Sequence, residues 1–151
     1  MKTLAIRPKS FAVKSLKVDT LQNIGGDFDA TDKPVSLKIS SEQIDKTDVA
    51  IILSVRLMLA DNLAMEVGYS VVFEASDTEV NDFELDAEIL KDQFFTVNAP
   101  AIAYPFLRAF IATFCVNAGY PAKMLPAINF QAMHNEKKKA DAATLSTSKS
   151  D

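Results

Sequence analysis

The stretch Val49–Phe73, VAIILSVRLMLADNLAMEVGYSVVF, decides the fold. Val49, Ile51, Leu53, Val55, Leu57 and Leu59 are apolar at every odd position, and Leu63, Met65, Val67, Tyr69, Val71 and Phe73 resume the pattern beyond Asp61-Asn62. Period-two alternation of this length describes two long strands, each with one buried face. A strict two-residue turn at Asp61-Asn62 would pair odd positions with even ones and send the two apolar sets to opposite faces. A three-residue loop, Asp61-Asn62-Leu63, pairs Leu59 with Met65, Leu57 with Val67, Val55 with Tyr69 and Leu53 with Val71. That register, or a bulge of equal effect, is expected. The other face is mixed, with Ile52, Ser54, Arg56 and Met58 against Glu66, Gly68, Ser70, Val72 and Glu74. Such a face is either wet or held against a partner.

Upstream, Val35–Ser40 alternates cleanly and reads as a half-buried strand, preceded over 22–34 by Asn, Gly, Asp and Pro, which is loop chemistry. In Phe11–Val18 the apolar parity switches between Val13 and Leu16, which predicts a strand with a bulge. Downstream, Asp61–Phe95 holds ten acids against the single base Lys91. Its plain reading is a solvated acidic rim, its sharper one an acidic docking surface. Within it Asn81 is expected to cap a helix carrying Phe83, Ala87, Leu90 and Phe94 at helical spacing.

Ala99–Ala118 is the least polar window of the chain, but Pro100, Pro105 and Arg108 argue against a membrane span. A helix starting near Pro105 and ending at Gly119 suits the preferences of its two termini. Phe106, Phe110 and Phe114 form one stripe, and Leu107, Ile111, Cys115 and Ala118 the next. A helix apolar nearly all round is covered on more than one side, and one sheet covers only one. A second copy of the chain is the expected cover, with Phe106, Phe110, Ile111 and Phe114 at the contact; a simple core helix in a monomer is the plainer reading. Residues 1–133 form the folded domain on this view, and 134–151, with Lys137, Lys138 and Lys139 followed by Ser, Thr and Ala, a polar and flexible tail.

The rest of the inventory excludes chemistry. The chain has 151 residues, 48% of them hydrophobic, and a net charge of −4, the wrong sign for a phosphate-backbone reader. No signal-like apolar run follows the first basic residues, so a chain starting at Met1 in the cytoplasm is expected. One cysteine, Cys115, forbids an internal disulfide and suits a reducing compartment. One histidine, His134, cannot complete a tetrahedral metal shell, no acids follow calcium-loop spacing, and none of the four glycines opens a phosphate loop, so no metal or cofactor is expected. A Cys115–His134 nucleophile pair would make the chain a small cysteine-dependent enzyme, but Cys115 sits between Phe114 and Val116 in apolar sequence where thiols are inert.

The run Pro100-Ala101-Ile102-Ala103-Tyr104-Pro105-Phe106-Leu107-Arg108, then Ile111, Gly119-Tyr120-Pro121 and Leu125-Pro126-Ala127-Ile128-Asn129-Phe130, resembles the SecB protein-export chaperone family. Prolines, Arg and Asn-Phe fall in step from Pro100 to Phe130 without a gap, and upstream the layout of strands agrees.

This resemblance implies an α+β fold, a four-stranded antiparallel sheet with a long helix and a short second helix on one side, assembled as a dimer of dimers. It implies a holding chaperone without ATP or other cofactor that binds unfolded or precursor polypeptides in apolar grooves. Carried over by position, the client-binding residues are Val71, Phe73, Tyr120, Met124, Leu125 and Phe130. Aromatic and Met side chains give the adaptable contact area promiscuity needs. Glu66, and Asp19 one residue out of step with Thr20, match acids that the family offers to the export motor ATPase. The basic Lys137–Lys139 run departs from the family's acidic tail. A SecB-like chaperone dedicated to one partner, such as an antitoxin, is the alternative to a general one.

Overall fold

The computed structural model describes residues 4–25, 35–77, 79 and 82–148. β3 (Asp48–Ala60) and β4 (Leu63–Asp77) form the expected hairpin, and the odd residues of β3 from Val49 to Leu59 are at most 2% exposed. Its register differs from the one expected. Leu57 lies opposite Met65, Val55 opposite Val67, Leu53 opposite Tyr69 and Ile51 opposite Val71. The turn is the two residues Asp61 and Asn62, with Asn62 at φ 60°, a left-handed conformation that Asn tolerates. An irregularity between Met58 and Ala60 absorbs one residue. That bulge restores the parity which the short turn alone would break, so both apolar sets share one face.

β1 (Leu4–Thr20) and β2 (Val35–Gln43) complete an antiparallel sheet in the order β1-β4-β3-β2. β1 is longer than its sequence pattern announces because it shifts register twice, between Val13 and Ser15 as expected and also between Pro8 and Ser10. Proline has no N–H for the ladder and is accommodated at such a bulge on an edge strand. At the second shift Ser15 Oγ lies over Gly68, where a Cβ would approach it to 2.6 Å, so a larger residue there would oblige the Ser15 side chain to turn away. Much of the loop expected over 22–34 lies outside the described residues; its start is a single helical turn, α1 (Leu21–Ile24).

Asn81, the expected helix cap, also lies outside the described residues. The helix expected from Phe83 to Phe94 does not form as one piece. Asp86 caps a four-residue helix, α2 (Ala87–Leu90), by accepting from the Ile89 N–H at 2.8 Å. A π-helical turn, Phe94–Asn98, then leads directly into α3 (Ala99–Asn117). α3 therefore starts well before Pro105, which lies inside it. This corrects the expected start: Pro100 occupies the first turn, where its missing N–H costs nothing. Pro105 deprives the Ala101 carbonyl of its helical donor, but both residues are exposed and water can serve that carbonyl. The far end is as expected. Gly119, at φ 84°, donates to the Val116 carbonyl at 3.3 Å while Tyr120 donates to Cys115 at 2.9 Å, a Schellman closure.

α3 lies across β3 and β4 and presents Ala99, Ala103, Leu107, Ile111 and Cys115 to them, all 0% exposed. The helical stretch Phe94–Asn117 is long and apolar enough to cross a membrane by length and composition; this buried row makes it the core helix of the domain. A helix about 10 Å across covers about two strands spaced at ~4.8 Å, so β1 and β2 need other cover. On the β2 side it comes from α4 (Phe130–Ser148). α4 is as long as α3, and the domain boundary expected at residue 133 falls inside it. Lys137-Lys138-Lys139-Ala140-Asp141-Ala142-Ala143 reads as a polar tail by hydropathy but is rich in strong helix formers.

Candidate functional site

The residues that carry the family resemblance fasten one segment, the connection from Gly119 to Asn129. Tyr104 and Arg108, one turn apart on α3, reach the same stretch of backbone. Tyr104 Oη donates to the Pro126 carbonyl at 2.5 Å, and Arg108 Nε donates to the Leu125 carbonyl at 2.7 Å. Burial raises the Tyr104 pKa despite the opposing charge of Arg108, so the phenol keeps the proton it donates. Leu125 is driven into the core at 1% exposure. Asn129 then caps α4, its Oδ1 accepting from the Ala132 N–H at 3.0 Å. Phe130 follows at 6% exposure with its ring edge-on to Tyr104, centroids 5.5 Å apart. Tyr104, Arg108, Asn129 and Phe130 thus act together on the connection that leads into α4.

An Arg108→Ala variant is expected to lose about 1.5–3 kcal/mol of stability, the range for a hydrogen bond from a charged donor. Limited proteolysis should cut first between residues 119 and 129. An unchanged melting temperature with the loop still resistant would show that Arg108 does not hold it.

α4 stands beside the edge strand β2 and leaves a groove of about 400 Å³ between them. Its floor is apolar, with Leu37 and Ile39 from β2, Ile51 from β3 and Phe95 from the π-helical turn. Phe130, Met133, His134, Lys137, Lys138 and Asp141 form the α4 wall, spaced three and four apart on one helix face. The volume is in the range of ligand clefts. No ligating cluster of three or more His, Cys, Asp or Glu occurs among the described residues.

Of the client-binding residues expected from the sequence, only Phe130 reaches this groove. Val71 and Phe73 are 0% exposed and belong to the core under α3, as does Leu125. Tyr120 is half-buried, its ring 6.3 Å from Phe114, and Met124 is 68% exposed on the loop. The groove residues missed were Leu37, Ile39, Phe95, Met133 and the basic lip. Met133 and Lys137 follow Phe130 by three and seven, a helical signal masked by the polar sequence around them.

A second apolar surface lies on the opposite flank. Phe11, Val13 and Leu16 point to the same side of the sheet as α3 yet stand 38–40% exposed. The Phe11 ring sits 4.4 Å from that of Phe106, which with Ile102 and Val116 forms the open side of α3. Of the expected contact residues, Phe106 is open and Phe110 and Phe114 are half-buried and stacked at 6.0 Å. Ile111 is fully buried in the core row.

The two acids expected to dock a motor are both engaged. Glu66 accepts from Arg56 Nε at 2.5 Å and lies opposite Lys17. Asp19 accepts from the Thr20 N–H at 2.7 Å and Asn23 Nδ2 at 3.0 Å, and these bonds hold its pKa below the usual carboxylate value. Cys115 is fully buried, and burial raises its thiol pKa, with Lys123 only partly offsetting this. His134 lines the groove instead of meeting Cys115. Alkylation of Cys115 by iodoacetamide is expected to be orders of magnitude slower in the native protein than in urea; equal rates would revive a reactive thiol.

Residues 21–141 match the SecB family, described as preprotein translocase subunit SecB. Among curated relatives, the protein-export protein SecB of Ehrlichia canis (strain Jake) is 30% identical over 110 residues, covering 72% of this chain and 55% of that one. That of Anaplasma phagocytophilum (strain HZ) is 40% identical over 78 residues, 52% of this chain and 46% of its own. The chain thus spans about half the length of the curated relatives it matches. Among solved structures, a SecB-like chaperone of Mycobacterium tuberculosis, in complex with an antitoxin peptide, superposes with a TM-score of 0.61 at 9% identity. That match covers 82% of this chain and 87% of that one. A Streptococcus agalactiae protein of unknown function gives 0.56 at 9% identity, covering 83% and 99%. At such identities these two matches speak to the fold.

Proposed function

The chain belongs to the SecB family, and from that premise we propose that it is a cytoplasmic holding chaperone for non-native polypeptides, serving protein export and working without ATP. The observation that supports this reading most is the groove between β2 and α4, whose leading connection is fastened by Tyr104, Arg108 and Asn129 of the family motif. Phe130 and Met133 would meet apolar client side chains, with Tyr120 and Met124 on the loop outside. Burying one such side chain contributes about 1.5–3 kcal/mol, so useful affinity requires several grooves acting on one client. A homotetramer would supply them, its copies meeting over Phe106, Phe110 and Phe114 and the neighbouring face of β1.

Aggregation of two unrelated denatured proteins, followed by light scattering without nucleotide, is expected to be suppressed at near-stoichiometric chaperone. Failure with both would overturn the holding function. Success with a single partner would favour the dedicated reading, which has the antitoxin-peptide complex of the Mycobacterium tuberculosis neighbour behind it. The names of the curated relatives favour export. Docking on an export motor through Asp19 and Glu66 would use the carboxylate oxygens left over from their present bonds, Oδ2 of Asp19 and Oε1 of Glu66.

A further inference from the structure

The charged residues of the groove, Lys137, Lys138 and Asp141, all come from the later part of the α4 wall, and their sum is opposite in sign to the charge of the chain. Along α4 its wall begins with Phe130 and Met133 and ends with Lys137 and Lys138, with His134 between them. Asp141 is the single acid in the lining, and β2 contributes only the uncharged Ser40 and Ser41 beside its apolar residues. Among the described residues neither Lys137 nor Lys138 has a carboxylate within ion-pair distance. A chain of net charge −4 thus places two lysines against one acid, Asp141, on the lip of its apolar cleft, a local excess of positive charge.

We infer that the groove selects an extended client segment in which apolar residues are followed by Asp or Glu, the apolar side chains lying against Phe130 and Met133 and the acid between Lys137 and Lys138. The spacing follows from the helix. From Phe130 to Asp141 α4 rises about 16 Å, the length of about five extended residues. Met133 and Lys137 are about 6 Å apart along the axis, so the acid falls about two positions from the apolar anchor. Carboxylates on the client complement the lip, whereas Lys or Arg there would meet like charge beside a low-dielectric wall.

This inference rests on the chaperone reading and is tested separately from it. Fluorescein-labelled peptides of one apolar core, flanked two positions away by Asp, Gln or Lys, are titrated with the full chain at low salt and followed by anisotropy. The Asp peptide is expected to bind about three- to tenfold more tightly than the Lys peptide, the range for two exposed ion pairs. The double variant Lys137→Gln/Lys138→Gln, which keeps the helix propensity of α4, is expected to abolish the difference, and Lys137→Glu/Lys138→Glu to reverse it. Equal affinities, or a preference that survives both variants, would overturn the charge selection and leave the chaperone reading standing. Binding of none of the peptides would overturn both. A change of oligomeric state in the glutamate variant, with peptide preference unchanged, would assign the lip to the acidic 82–88 stretch of a second copy and overturn the inference.

Discussion

Phe73→Ala is expected to cost about 3–5 kcal/mol of unfolding free energy, the range for truncating a fully enclosed aromatic. Phe73 is 0% exposed, lies opposite Val49 in the hairpin and takes the ring of Phe94 edge-on at 6.1 Å. The cavity would open where β4 meets the π-helical turn, which is also where Phe95 enters the groove floor. Urea denaturation reads the loss directly. The family resemblance assigns Phe73 to the client surface, and Phe73→Leu separates the two roles. A core residue should give a smaller loss of stability with client affinity unchanged per folded molecule. Weakened client binding at wild-type stability would return Phe73 to the groove.

Phe106→Asp should have its large effect on assembly instead. Phe106 is 48% exposed and Val116 62%, so an aspartate at either position in a single chain reaches water, and the folded protomer should lose only about 1 kcal/mol, chiefly the ring contact with Phe11. In an oligomer that covers this face, the same carboxylate is buried without a partner, at a cost of several kcal/mol, which weakens association about a thousandfold or more. Native mass spectrometry of the wild type and the Phe106→Asp and Val116→Asp variants should show a tetramer falling to smaller species. Wild-type assembly retained by both variants would move the interface elsewhere.

Both variants test assignments that the sequence made from periodicity and resemblance, and the outcomes show what such signals can carry. Alternation in Val49–Phe73 determined which side chains face inward, because a buried face tolerates no error of parity. It left the pairing step open, since sliding the strands by two residues preserves both faces; the choice lay in a bulge at Leu59 that no residue type announces. The end of α3 was legible because Gly119 is required at φ 84°, whereas its start was hidden by Pro105, a breaker only where its carbonyl partner is shut away from water. The acid-rich stretch reads as a charged rim, but Asp86 and Asp92 each satisfy a backbone N–H nearby, so part of that charge is local capping. The groove was the least legible element. It depends on how α4 stands against β2, with Tyr104 and Arg108 acting on the connection into α4 from another helix, and local sequence around Lys137 carries no trace of that.

The pairing of β1 with β4 has a bearing on how the chain comes to be folded. The hairpin of β3 and β4 closes through two residues and is entropically the cheapest part of the sheet to form. β1 is made first, yet even its nearest partners, Thr20 and Leu63, have all of β2 and β3 between them. During synthesis Phe11, Val13 and Leu16 therefore leave the ribosome long before the edge they are to join exists, and non-local pairing of this kind is slow. A nascent copy is for that interval an extended, apolar, unpaired segment, the same kind of substance that the finished protein is proposed to hold.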